Sequence, residues 1–331
     1  MGHKLTTIQL SEVLAQLRDK YRIYAPKSSK SGVRYGEVAL AEEIVFDQKS
    51  DFSPKEVVSP IVQTMLYFTD SACTESEVDD KGIVLFLRPC DVHALEKLDT
   101  IFLQNGDQAE LYYARMREKV KLFLMECPTG WEDCFCVSMG TNKTNNYSVA
   151  LRPEAGGFLV QVQDDTFAPL FTGFPTQEFA LEFVSKNAKT VTVPNITPEQ
   201  LPAIHASEIW ADSTGDCIAC GTCNTVCGSC SCFETIDVTY TETSKSGERR
   251  RIWAGCMQEK FAVMAGGHSV RKTPAERMRF KVLHKVYDFN ARFGAGHMCV
   301  GCGRCDARCP KKISYSHAVN RLSDELKGGA R

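Results

Sequence analysis

Two rhythms of hydrophobic and polar positions run through the first part of the chain. Leu10, Val13, Leu14 and Leu17 recur at helical spacing, so the first twenty residues read as a short amphipathic helix. From Tyr21 to Phe68 the pattern is mixed, with short strand-like pieces and turns. Gly82-Ile-Val-Leu-Phe-Leu87 is a continuous apolar run of strand length, and Val92, Leu95, Leu98 and Phe102 place a helix over Asp91 to Leu103. A polar helical stretch from Gln108 to Lys119 leads into a second apolar run, Lys121-Leu-Phe-Leu-Met125. Strand, helix, strand in this order predicts a βαβ unit with a parallel pair.

After Met139 the pattern is more β-like. Phe158 to Gln163 alternates, Gln177 to Ser185 reads as a helix, and Thr190 to Val193 as a strand closed by Pro194. Ile196 to Asp216 holds two prolines and few periodic positions, and reads as a linker. Beyond it come cysteine loops, an insert of largely helical pattern, and basic helices such as Pro274 to Phe289. The expected fold class is α+β, with a mixed α/β domain over 1–205 followed by a mainly helical domain over 206–331.

Charge and length narrow the partners. The 331 residues carry a net charge of −2, which gives no reason to expect nucleic acid or an anionic membrane as partner. No stretch approaches the ~18 apolar residues that would span a bilayer. The opening MGHKLTTIQL has no apolar signal-peptide core, so a cytoplasmic location is expected. In that reducing compartment sixteen cysteines point to metal or redox chemistry rather than disulfides.

The cysteines are clustered. Cys217, Cys220, Cys223 and Cys227 have the spacing C-x2-C-x2-C-x3-C, and Cys299, Cys302, Cys305 and Cys309 repeat it, with Pro310 following. Three thiolates so spaced on a tightly curled loop reach three irons of one cubane, and Gly221, Gly301 and Gly303 permit the curl. The fourth cysteine serves the other cluster in two-cluster ferredoxins. Cys217, Cys220, Cys223 and Cys309 are therefore assigned to one [4Fe–4S] cluster, and Cys299, Cys302, Cys305 and Cys227 to the other. A pair of zinc sites fits the spacing poorly, since these favour C-x2-C pairs. Cys227 departs from the pattern, being followed by Gly228 instead of proline. About 70 residues separate the two runs, an arrangement that resembles the helical dicluster ferredoxin domains of fumarate reductase and heterodisulfide reductase iron–sulfur subunits.

Four more thiols lie in the N-terminal half. Cys90 and Cys127 each follow the carboxyl end of a predicted parallel strand, the edge where α/β proteins place their sites, and Cys134 and Cys136 lie on the loop leaving the second strand. Spacing alone leaves two readings, a third cubane or buried small hydrophobes. Cys230, Cys232 and Cys256 read as packing beside a cluster, with ligand exchange or another centre as alternatives; Cys73 reads as incidental. No G-x-x-x-x-G-K-[ST] loop and no G-x-G-x-x-G after a strand occurs, so no ATP, NAD or FAD site is expected. His268, His284 and His297 occur singly and read as surface or packed residues. Arg249, Arg250, Arg251, Arg271, Lys272, Arg277 and Arg279 read as a solvated helical face, or alternatively as a docking surface or a positive charge that tunes cluster potential.

Several blocks resemble the family of iron–sulfur electron-transfer subunits of anaerobic sulfite reductases: Arg88-Pro-Cys-Asp91, Glu126-Cys127, Cys134-Phe-Cys-Val-Ser-Met-Gly-Thr141 on to Thr144, Gly247-Glu-Arg-Arg250, Met264-Ala-Gly-Gly-His268 and His297-Met-Cys-Val-Gly-Cys-Gly-Arg-Cys305. The wider family of cytoplasmic sulfhydrogenase β subunits shares the layout. The resemblance implies a chain that relays electrons from a flavin- and NADH-binding subunit to a sirohaem subunit reducing sulfite to sulfide. It also favours the third cluster at Cys90, Cys127, Cys134 and Cys136. It implies no catalytic residue and no flavin, nicotinamide or sirohaem on this chain. A hydrogenase electron-transfer subunit and a non-enzymatic metal-binding module are the alternatives.

Overall fold

The two continuous apolar runs lie at the centre of a sheet covered on both faces, where a strand needs no polar side. The computed structural model describes residues 1–77, 79–243, 245–261 and 263–328. The last three residues of the predicted second domain, 329–331, lie outside the described residues. In chain order the strands are β1 (Gly2–Thr6), β2 (Tyr21–Ser29), β3 (Gly32–Glu37), β4 (Val62–Phe68), β5 (Cys73–Glu75), β6 (Gly82–Leu87), β7 (Val120–Met125), β8 (Val149–Glu154), β9 (Gly157–Val162), β10 (Thr176–Gln177), β11 (Phe233–Thr239) and β12 (Gly247–Trp253). The larger sheet has the order β10-β1-β9-β8-β7-β6-β2-β3. Its middle strands β2, β6, β7 and β8 are parallel.

Alternate side chains of these strands feed two cores. Val84, Phe86, Phe123 and Met125 pack with the helix Thr7–Leu17, while Ile83, Leu85, Leu87, Leu122 and Leu124 pack with the helix Pro89–Leu103. The predicted βαβ unit is present. The N-terminal helix is shorter than expected, because β1 precedes it and a capping box between Thr6 and Gln9 fixes its start.

Three expectations fail, the first two because distant groups supply the backbone's hydrogen bonds and the third because the segment is buried. Gln177 to Ser185 is not helical: Gln177 ends β10, and the rest is irregular, with one parallel bridge from Phe183 to Cys127. Glu182 N–H donates to the buried carboxylate of Glu126 at 2.6 Å, and Val184 N–H donates to Cys127 O at 2.8 Å. Thr190 to Val193 joins no sheet; Ser138 Oγ and the Asn320 side chain bond its backbone instead. Ile196 to Asp216 is not a loose linker. Ile196, Ile204, Ile209 and Trp210 are buried in the C-terminal core, and Trp210 Nε1 donates to Ile204 O at 2.6 Å.

The insert between the cysteine runs is only half helical. Its first part is the hairpin β11–β12, which joins β4 and β5 in a second sheet of order β11-β12-β4-β5. Its second part is a continuous helix over 274–293, opened by a Thr273–Glu276 capping box and passing through a π-helical segment, His284–Asp288. The arginine triplet therefore lies on β12 and not on a helix. Arg251 is buried against the Phe233 ring and pairs with Glu110 at 3.0 Å, Arg249 pairs with Asp237 and Arg250 with Glu248. Arg277 is also buried, donating to the carbonyls of Arg271 and Lys272, so the basic positions do not form one solvated face. Among the described residues no helix is long and apolar enough to cross a membrane.

Candidate iron–sulfur sites

Each cysteine run curls around a cavity and carries its third cysteine on a one-turn helix, Thr222–Thr225 or Arg304–Ala307. Gly303 begins its turn at φ +70°, and a Cβ there would lie 2.0 Å from Asp133 O; only glycine satisfies both constraints. The first cavity is lined by Cys217, Cys220, Cys223 and Cys309. The second is lined by Cys227, Cys299, Cys302 and Cys305. Cys223, Cys305, Lys281 and Tyr315 line both, so the cavities share a wall. The fourth cysteine of each run thus faces the cavity of the other run.

Packing accounts for the residue after Cys227. A Cβ on Gly228 would lie 2.9 Å from the Cβ of Ala94, on the helix Pro89–Leu103. Nothing larger than glycine fits without displacing that helix. Gly228→Ala is expected to lower stability by about 1–3 kcal/mol through overpacking, read as a fall in the urea midpoint.

Burial is the main influence on three thiols of the second run. It raises Cys302 and Cys305 and pushes Cys299 up to about 12. Cys227 is lowered instead, because the Cys230 thiol donates to it and Lys285 Nζ lies 3.4 Å from its sulfur. The donor set suits an anionic thiolate-bound centre. In both cavities the thiols surround a space, where a zinc site would draw four ligands to one point at ~2.3 Å. Lys281 and Lys285 are 2% and 3% exposed, and among the described residues neither pairs with a carboxylate. The sequence reading missed both lysines. Their signal is the spacing Arg277, Lys281, Lys285, which runs beside the apolar stripe Met278, Val282, Val286.

The carboxyl ends of β6 and β7 deliver the N-terminal thiols to one place. Cys90 lies in the first turn of the helix Pro89–Leu103, and Cys127 two residues past β7. Cys90, Cys127, Cys134 and Cys136 are all buried, at 8% exposure or less. Cys134 is close enough to raise both Cys127 and Cys136, and Cys136 to raise Cys90, although burial is the main cause in each case and takes Cys136 to about 12. Cys90 and Cys136 also pack against Cys302 and Val300.

This group abuts the second cavity. Phe135 N–H donates to Gly301 O at 2.8 Å, Thr141 Oγ1 donates to Val300 O at 2.6 Å, and Lys49 Nζ lies 3.5 Å from Cys134 Sγ and 2.7 Å from Cys302 O. The Arg88-Pro-Cys-Asp91 block makes a matching contact. Arg88 holds the carbonyls of Phe46 and Gln48, Pro89 occupies the first helical turn, and Asp91 takes a bidentate bond from Arg304 at 2.6 and 3.2 Å. Arg304 also donates to the carbonyl and hydroxyl of Ser50, at 2.9 Å each.

Of the remaining thiols, Cys230 packs beside Cys227 at the second cavity. Cys230 and Cys256 are buried, and the Asn224 amide donates to both sulfurs, at 3.6 and 3.3 Å. Burial raises Cys232, with Cys256 beside it as a further cause. Cys73 is exposed on β5.

Comparison with known proteins agrees with this geometry. Residues 216–313 match the family described as 4Fe-4S dicluster domain. The chain is 28% identical to sulfhydrogenase 2 subunit beta of Pyrococcus furiosus, over 98% of each chain. No solved structure matches. The C-terminal third is thus a 4Fe-4S dicluster domain, within a chain similar along its length to a sulfhydrogenase β subunit.

Proposed function

We propose that this chain is the electron-carrying iron–sulfur subunit of a cytoplasmic anaerobic sulfite reductase. Cys217, Cys220, Cys223 and Cys309 would hold one [4Fe–4S] cluster, Cys299, Cys302, Cys305 and Cys227 a second, and Cys90, Cys127, Cys134 and Cys136 a third. The observation that carries the reading is the pair of adjoining cavities, each lined by the first three cysteines of one run and the fourth of the other, with buried Lys281 on their shared wall. Such clusters supply one-electron redox chemistry. The chain's own residues would bind them, exclude water and fix the charge around them. The three thiol groups succeed one another in space: the N-terminal group, the Cys299 run, then the Cys217 run, whose Cys220 is exposed.

The choice of sulfite rests on the Cys134-Phe-Cys-Val-Ser-Met-Gly-Thr141 block and its companions. In this reading a flavin- and NADH-binding subunit donates electrons and a sirohaem subunit reduces sulfite to sulfide. A second reading, the electron-transfer subunit of a sulfhydrogenase, is favoured by the full-length similarity to the Pyrococcus protein. Anaerobic copurification with partner subunits separates the two. A sirohaem absorption band with NADH-dependent sulfide formation from sulfite supports the first. Nickel with hydrogen uptake supports the second. Zinc with little iron in the purified chain overturns both and leaves a metal-binding module.

The crossed ligand sets have their own test. Cys309→Ser should perturb the electron paramagnetic resonance signal of the cluster bound by Cys217, Cys220 and Cys223, leaving the other signal in place. Alteration of only the Cys299-run signal would contradict the crossing.

A further inference from the structure

The helix over 274–293 carries two ammonium groups into the protein interior. Lys281 Nζ donates to Cys223 O at 3.1 Å, and Lys285 Nζ to Ser229 Oγ at 3.0 Å. Burying an ammonium without a carboxylate partner is costly, and a methionine of similar length would avoid that cost. A lysine in such a place calls for an anionic neighbour, and what both lysines face is the thiol-lined cavities. Their placement differs. Lys281 lines both cavities, whereas Lys285 lines only the second, 3.4 Å from Cys227 Sγ.

We propose that Lys281 is a positioning residue for two clusters at once, its ammonium on the shared wall raising the reduction potential of each. The proposal rests on the cluster reading above. A fixed positive charge stabilises the reduced state, which carries one more negative charge than the oxidised state, and low-dielectric surroundings strengthen the effect. From the shared wall, one ammonium acts on both clusters. Lys285 acts on the Cys299-run cluster alone.

The test is an anaerobic redox titration of the iron-loaded chain, followed by electron paramagnetic resonance. Lys281→Met should shift the midpoints of both C-terminal clusters to more negative values, while Lys281→Arg keeps them near wild type. Lys285→Met should shift chiefly the Cys299-run cluster. Full iron content in Lys281→Met with both midpoints unmoved would overturn the proposal, as would a shift confined to one cluster. If Lys281→Met fails to retain iron, Lys285→Met decides: equal shifts in both clusters, or none, overturn it. Absence of iron from the wild-type chain would sink the cluster reading itself, an outcome distinct from unmoved midpoints in a loaded protein.

Discussion

Arg304→Met should unfold at a markedly lower urea concentration than the wild-type chain, reflecting a loss of about 3–5 kcal/mol. Arg304 and Asp91 are 2% and 1% exposed, so removing the guanidinium strands a carboxylate in the interior. What remains for Asp91 is the Tyr35 hydroxyl at 3.4 Å, a weak substitute for two charge-assisted bonds. The loss extends to both bonds that Arg304 makes to Ser50. Arg304 sits inside the second cysteine run, and Asp91 one residue after Cys90. The pair therefore clamps the N-terminal thiol group to the Cys299 cavity, and iron bound near it should become more labile to chelators. The double variant Arg304→Met with Asp91→Leu tests the cause. With both charges gone no ion is stranded, and much of the stability should return. A double variant as unstable as the single would show that the Ser50 contacts, not the charge pair, matter.

Much of this architecture was legible in the sequence where one residue type carried one message. The runs Gly82–Leu87 and Lys121–Met125 have no polar face, so they belong at the centre of a covered sheet, and they lie there. The x2-x2-x3 spacing predicts crossed fourth cysteines, and Cys227 and Cys309 line the cavities of the opposite runs. Legibility ended where a distant group outweighed the local pattern. Phe179 to Val184 has helical spacing, but the Glu126 carboxylate and Cys127 carbonyl take the N–H groups of Glu182 and Val184, and no helix forms. β11 and β12 are strands because β4, some 180 residues earlier in the chain, offers an edge to pair with. As residue types Lys281 and Lys285 carried no signal in the sequence that set them apart, because charge is ordinarily exposed. Only the cavities explain their burial.

Changing Cys90 and Cys136 together to serine should remove about four of about twelve irons per chain, one cubane's worth. These two thiols pack against Cys302 and Val300, so their cluster would adjoin the second cavity. The ligands of the other two clusters are untouched, which is why about eight irons should remain. Burying two hydroxyls in this apolar pocket costs about 1–3 kcal/mol each on its own. A companion variant with alanine at both positions controls for that, because it removes the ligands without burying a hydroxyl. Serine and alanine variants that both keep a full iron count would eliminate the N-terminal cluster and return Cys90 and Cys136 to the role of small buried hydrophobes. A fall to about four irons would mean more than the loss of one site. Phe135, Thr141 and Lys49 all bond to the Cys299 loop. The second cluster would then depend on the N-terminal loop being ordered by the third, and the two halves of the chain would load iron as one unit.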